Sequence, residues 1–298
     1  MRARSALLRA SLFLALIPGI LPAQSVGRML ENDLRNFGGD IWSVWTSPFR
    51  ADARDWLTAG IVVAGSAAVM PLDDNIDRWM VKHQNSALWS PLKELRQGGK
   101  GFSGKYITPA AGGVLIYALA TKNTKIQEGI FGCLASYVSG SVVRNYVLYA
   151  LVGRERPNPR KDSVTVPPAE EGDQYNFTVP GEFDNWGMHS MPAGHAANIL
   201  ACASFLNNRF EMGYVEPALY LVSAGIGVGR LVDRRHWTSD TFVGLAFGYA
   251  IGRHVAHRSA NRALKSSTAV GAAAATMLEG VYVTPSRHSL TVGWKTTF

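Results

Sequence analysis

Two histidines, a carboxylate and several arginines stand in three short runs of this chain, and their types point to phosphoryl chemistry. The runs are Arg156-Pro157, then Pro192-Ala193-Gly194-His195, then Arg230 followed by His236 and Asp240. A carboxylate bonded to one imidazole nitrogen fixes the tautomer and makes the other nitrogen the better nucleophile. His236 and Asp240 are four apart, so a helix that has begun by His236 puts them on one face. Arg230 offers a planar fork to phosphate oxygens. Gly194 lets the chain turn sharply before a helix-compatible run, whose free N–H groups attract an anion. His195 at that position can protonate a leaving alkoxide. Pro157 restricts the residue before it, so a helix ends near Arg154 and Arg156, and both can face the same cavity. Each run also has a plain structural reading. Arg230, Asp233, Arg234 and Arg235 can pair in a surface turn, Pro and Gly can be helix punctuation, and Arg154 can pair with Glu155. No cysteine cluster or carboxylate box offers a metal site, so neither a metal nor another cofactor is expected.

The elements that must position these residues are helical. Charge-free stretches rich in Ala, Gly, Leu and Val run Trp56–Leu72, Tyr106–Thr121, Gly129–Val143, Ala196–Asn208, Pro217–Gly229 and Thr241–Gly252. They predict an all-α fold, a bundle of about six helices. Residues 157 to 189 are polar, contain prolines and read as a long loop of the kind that carries function. Near the C-terminus, Leu290, Val292, Trp294 and Phe298 alternate on one face, which predicts a short strand or hairpin in a tail spanning 263–298.

The N-terminus sets the expected compartment. Arg2, Arg4 and Arg9 surround an apolar stretch that ends in Leu21-Pro22-Ala23, so residues 1–23 read as a signal peptide and 24–262 as the helical domain. The body is then exported to a periplasm, soluble or membrane-associated, the alternative being an integral membrane protein with its site on the periplasmic side. Removing residues 1–23 takes away three arginines and no acid, which lowers the net charge from +8 to about +5. That balance suits an anionic substrate or a membrane surface. The basic residues are scattered, and nothing resembles a nucleic-acid module. Cys133 and Cys202 each sit in an apolar segment and read as two buried thiols, although export permits a disulfide. Gly99 to Lys105 nearly spells a phosphate-binding loop, but Tyr106 stands where Ser or Thr should be, and it reads as an inter-helix loop.

The order Arg-Pro, Pro-x-Gly-His, Arg-x5-His-x3-Asp resembles the phosphatidic acid phosphatase type 2 superfamily, over Arg144 to Gly252. That superfamily includes lipid phosphatases, bacterial non-specific acid phosphatases and vanadium haloperoxidases. The resemblance implies His236 as the nucleophile that forms a phosphohistidine, with Asp240 orienting it. It implies His195 as the acid for the leaving group and then the base for water. Arg156 and Arg230, with the N–H of Gly194, would hold the phosphoryl oxygens, and hydrolysis would need no metal. Three positions depart from the family pattern: Tyr149 replaces a Lys, Ala193 a Ser and Gly229 a Ser. Each lost charge-assisted bond is worth about 1.5–3 kcal/mol, which predicts weakened or altered phosphate binding. Tyr149 can donate one hydrogen bond in compensation, and Arg154 or Arg144 can supply a cation. The expected activity is hydrolysis of a phosphomonoester or diphosphate, of a small molecule or a lipid. The alternatives are an impaired relative with a binding or envelope-structural role, or a vanadate-dependent haloperoxidase.

Overall fold

A computed structural model describes residues 25–83, 85–89, 107–159, 172–181, 184–279, 281–285 and 290–294. The expected signal segment, the Gly99–Lys105 loop and residues 160–171 of the 157–189 loop, with Glu170 and Glu171, lie outside the described residues. The helices are α1 (Val26–Trp45), α2 (Ala53–Val69), α3 (Asp73–His83), α4 (Ile107–Ala120), α5 (Thr124–Val142), α6 (Gly194–Arg209), α7 (Val215–Val232) and α8 (Thr238–Glu279). Side chains start several of them. Ser25 caps α1 through Arg28 N, Asp52 and Asp55 form a capping box on α2, and Asn123 caps α5 through Ile126 N.

The all-α expectation holds, with eight helices of this length among the described residues rather than about six. The two additional ones, α1 and α3, carry charges on one side and apolar residues on the other, so a search for charge-free stretches passes over them. Helix α8 runs on to Glu279, past the boundary expected at 262. Beyond it the strand Val281–Pro285 pairs antiparallel with Leu290–Trp294, the expected hairpin. The 157–189 loop contributes a small ribbon, in which Gly153–Arg154 pairs with Phe177–Thr178.

The core forms where α1, α5, α6 and α8 meet, around Val44, Ala135, Phe205, Ile251 and Val255. Helix α6 is central. It packs antiparallel to α5, where the ring of Phe205 occupies the space that a side chain at Gly132 would need. Cys133 and Cys202 are joined here as a disulfide with a Cα–Cα distance of 4.4 Å, which corrects the reading of two free thiols. The close α5–α6 approach brings the two cysteines within bonding reach.

Against α8 the contact is closer still. A Cβ at Gly244, Gly248 or Gly252 would overlap or crowd the carbonyls of Ala193, Ala197 and Ala201 respectively. The matching order of these contacts makes α6 and α8 parallel, so their N-termini lie side by side. Replacing Gly248 with Leu is therefore expected to lower stability by about 1–3 kcal/mol through overpacking. Replacing Gly60 with Ala, where nothing lies within 4 Å of the added methyl, is expected to be neutral or stabilising by about 0.5–1 kcal/mol. Thermal unfolding of the two variants beside the unsubstituted protein checks both.

Candidate active site

Four helix ends converge on one place. The C-terminal ends of α5 and α7 bring Arg144, Tyr149 and Arg230, and the N-terminal ends of α6 and α8 bring Gly194, His195 and Asp240. Local chain geometry delivers His236 between α7 and α8. Helix α7 closes with Arg235 N donating to Arg230 O at 3.0 Å and Arg234 N donating to Leu231 O at 2.8 Å. Arg234 takes the left-handed conformation (φ 53°) where glycine is usual in such a cap. Asp77 of α3 holds it there by gripping its guanidinium with both carboxylate oxygens, Oδ1 accepting from Nε at 3.1 Å and Oδ2 from Nη2 at 2.7 Å. The expected pairing of Arg234 within its own turn is thus replaced by a cross-helix pair. Helix α8 then begins with Trp237 N donating to Asp240 Oδ2 at 2.8 Å, half of a capping box.

His236 is 3% exposed, and its Nδ1 lies 2.6 Å from the carbonyl oxygen of Ser190. A carbonyl only accepts, so Nδ1 carries the proton and the lone pair of a neutral ring sits on Nε2. Burial, followed by the charges of Arg156 and Arg230, pushes this imidazole well below its ordinary range and keeps it neutral. Asp240 does not bond the ring, contrary to the expectation from the motif. Its Oδ1 accepts from Arg154 at 2.6 Å, and its Oδ2 accepts from Ser190 Oγ at 2.5 Å as well as from Trp237 N. Ser190 therefore stands between them, with its carbonyl on the histidine and its hydroxyl on the aspartate. Burial raises the Asp240 carboxyl, and Arg154, Ser190 and Trp237 N pull it the other way.

Arg154 is fully buried, and its guanidinium is shared between carboxylates. It reaches Asp73 at 2.8 Å and Asp240 at 2.6 Å, with Ser239 Oγ and the Gln174 carbonyl as further acceptors. The chain thus commits Arg154 to Asp73 and Asp240, and not to a bound phosphate or to Glu155 as expected. Asp73 also accepts from Ser239 N at 2.9 Å, so an acid on α3 caps the start of α8.

Around the histidines lies a cluster of arginines. Arg156 is held by three backbone carbonyls, those of Trp186, Arg235 and His189, and its guanidinium lies 4.1 Å from the Trp186 ring centre. Arg235 lies against the same ring at 4.9 Å. Burial lowers Arg156 to about 10, where it is still charged at neutral pH. Arg230 lies near Asp233, at 3.5 Å. His195 is exposed to solvent at the start of α6. Desolvation of its ring by the protein around it, then Arg230, Arg144 and Arg156, depress its proton affinity. The start of α6 carries no side-chain cap, because Ala193 stands where a Ser would be, and this leaves the first N–H groups without a side-chain acceptor.

Tyr149 is 6% exposed, its hydroxyl donates to Pro192 O at 3.2 Å, and its ring stacks on His189 at 4.6 Å. Its hydrogen bond braces the second motif instead of reaching a phosphate. Sequence reasoning missed Ser190 and the function of Asp73. The available signals were a hydroxyl directly before the second motif and two acids, Asp73 and Asp77, one helical turn apart. Among the described residues no three His, Cys, Asp or Glu side chains converge as a metal site.

Residues 130–264 match the sequence model of the PAP2 superfamily. That region holds all three motifs, and the model it matches is that of the superfamily the motifs resemble. The lipid A 1-phosphatase of Porphyromonas gingivalis is 37% identical over 73 residues, which make up 23% of this chain and 16% of that protein. The crystal structure of a transmembrane PAP2-type phosphatidylglycerolphosphate phosphatase from Bacillus subtilis aligns over 70% of this chain and 94% of that one, at 14% identity and a TM-score of 0.41.

Two outcomes follow from this geometry. Asp73→Asn breaks one arm of a buried ion network and is expected to cost about 3–5 kcal/mol in chemical denaturation. His236 is depressed in the folded state, so on acidification the unfolded chain takes up that proton first, below the ordinary histidine value of 6.5. Stability is then lost as the pH falls from neutral towards 5, and His236→Gln is expected to flatten that loss. Unfolding midpoints of both proteins across this pH range check it.

Proposed function

We propose that this protein is a membrane-resident phosphatase that removes a terminal phosphate from a lipid-borne phosphomonoester or diphosphate through a phosphohistidine on His236. The observation that carries the reading is the buried neutral imidazole of His236, pinned at Nδ1 by the Ser190 carbonyl beside a cluster of guanidiniums. Nε2 attacks phosphorus, and the bond from phosphorus to the leaving oxygen breaks as His195 gives that oxygen a proton. Water then attacks the phosphohistidine, His195 takes its proton, and inorganic phosphate and neutral His236 are regenerated. Desolvation, and after it Arg230, Arg144 and Arg156, lower the proton affinity of His195. A bound phosphate dianion offsets their field and restores the proton that the first step needs. Arg156, Arg230 and the N–H of Gly194 stabilise the oxygens of the transferring group, which is where most of the catalysis in such reactions arises.

The surface supports a lipid setting. Segments Ala53–His83 and Val215–Val232 contain 18-residue windows with mean hydropathy of 1.4 and 1.3, of which 6% and 39% are buried. Trp56, Leu57, Ile61 and Val63 on α2, Ile116 on α4 and Leu221 on α7 are each more than half exposed. Apolar faces of that extent are costly in water and suit hydrocarbon. The matched lipid A 1-phosphatase is named for a phosphorylated lipid as well.

The test is phosphate release by detergent-purified protein from a phosphorylated lipid and from a soluble aryl phosphate, beside His236→Ala. The expected result is lipid hydrolysis that exceeds aryl phosphate hydrolysis and falls at least about 10³-fold in the variant. Equal release by protein and variant would sink the reading and favour an impaired relative with a binding role.

A further inference from the structure

The position where the family places a lysine is closed to any cation here. Tyr149 is buried there, bonded to the Pro192 carbonyl and stacked on His189. We propose that Arg144, one wide helical turn earlier, supplies the phosphate-binding cation in its place. This rests on the phosphatase reading of the same site.

The chain is built to make that exchange. Helix α5 continues into a π-helical turn, Val143–Leu148, in which Tyr149 N donates to Arg144 O. Such i→i+5 bonding stacks residues five apart, whereas an α-helical path would turn Arg144 well away from Tyr149. The Arg144 guanidinium accordingly lies 6.0 Å from the centre of the Tyr149 ring. From there it reaches the start of α6. A Cβ at position 194 would overlap Nη1, Cζ and Nε of Arg144, so the guanidinium rests directly on Gly194, beside His195. The Gly of the second motif is therefore needed for a reason that the motif alone does not reveal.

Neutral groups hold Arg144 in place. Nε donates to Asn145 Oδ1 at 3.1 Å and Nη1 to Asn198 Oδ1 at 3.2 Å, while the Asn198 amide donates to Ser141 Oγ at 2.8 Å. Among the described residues no carboxylate pairs with Arg144 and no hydrogen bond engages Nη2. Two neutral amides orient the fork without cancelling its charge, unlike Arg154, which Asp73 and Asp240 neutralise. The side chain is half-buried. A guanidinium so placed suits a tetrahedral phosphate dianion, to which it can offer two parallel N–H donors.

The test is inorganic phosphate binding to the full chain, followed by calorimetry or phosphorus NMR, because it needs no turnover. Arg144→Gln keeps a donor for Asn198 and removes the charge, and Arg144→Lys keeps the charge. Arg144→Gln is expected to weaken phosphate binding about 10–100-fold, the equivalent of one charge-assisted contact. Arg144→Lys should retain most of the binding, and added methylguanidinium should partly restore an Arg144→Ala variant. In turnover assays the loss should appear in KM as well as kcat. Phosphate binding by folded Arg144→Gln equal to that of the unsubstituted protein, or no binding by the unsubstituted protein, overturns the proposal. Binding that depends on Arg144 without turnover that depends on His236 would leave this proposal standing and remove the phosphatase reading.

Discussion

The site depends on how closely α6 and α8 can approach. Gly244, Gly248 and Gly252 form a side-chain-free stripe one turn apart, and the carbonyls of Ala193, Ala197 and Ala201 occupy the space where side chains would be. The small residues on both helices let two backbones meet at a distance that larger side chains forbid. Because the contact is parallel, the two N-termini end level, and Ala193 N donates to Asp240 O at 3.0 Å across the junction. The first turn of α6 and the motif leading into α8 therefore lie side by side, with both helix dipoles favouring an anion there. Helix α7, which lies between them in the chain, carries Arg230 in its last turn, while α5, tied to α6 by Cys133–Cys202, leads into the π-helical turn that carries Arg144.

Behind the histidine runs a buried polar chain: Asp73, Arg154, Asp240, Ser190 and His236. Two carboxylates and one guanidinium, each 0% exposed at the side chain, are costly to desolvate unless every acceptor and donor is paired. Here Ser239, Gln174, Trp237 N and Ser190 complete the pairing. The result is rigidity at one point: the Ser190 carbonyl is fixed, and with it the tautomer of His236. The cations in front of the histidine are treated differently. Arg156 is bonded to carbonyls and Arg144 to amides, so both keep their charge for a ligand. One set of arginines neutralises structure, and the other presents charge.

Much of this was legible in the chain. The six charge-free stretches became α2 and α4 to α8, because buried helices leave an apolar signature that survives without an alignment. The three motifs did converge. Helices α1 and α3 were hidden, since their mixed composition reads as polar surface until a partner covers one face. The Asp240–His236 bond inferred from a spacing of four did not form. His236 lies before α8 begins, in the turn set by Arg234, so helical spacing did not apply to it. Arg154, read as a partner of Glu155 or a spare cation, pairs instead with Asp73, which is far away in sequence. Ser190 escaped because its carbonyl carries half of its effect, and no residue type encodes that.

The central claim is that His236 Nε2 is the atom that takes the phosphate. The direct measurement is to quench turnover with alkali, under which phosphohistidine survives, and to map the phosphorylated residue by peptide mass spectrometry in the unsubstituted protein and in His195→Ala. The account predicts phosphate on His236, and, with an aryl phosphate whose leaving group needs little protonation, a higher level of it in His195→Ala because the base for the water step is gone. Phosphate found on another side chain, or hydrolysis at full rate with no phosphorylated His236 in either protein, would contradict it.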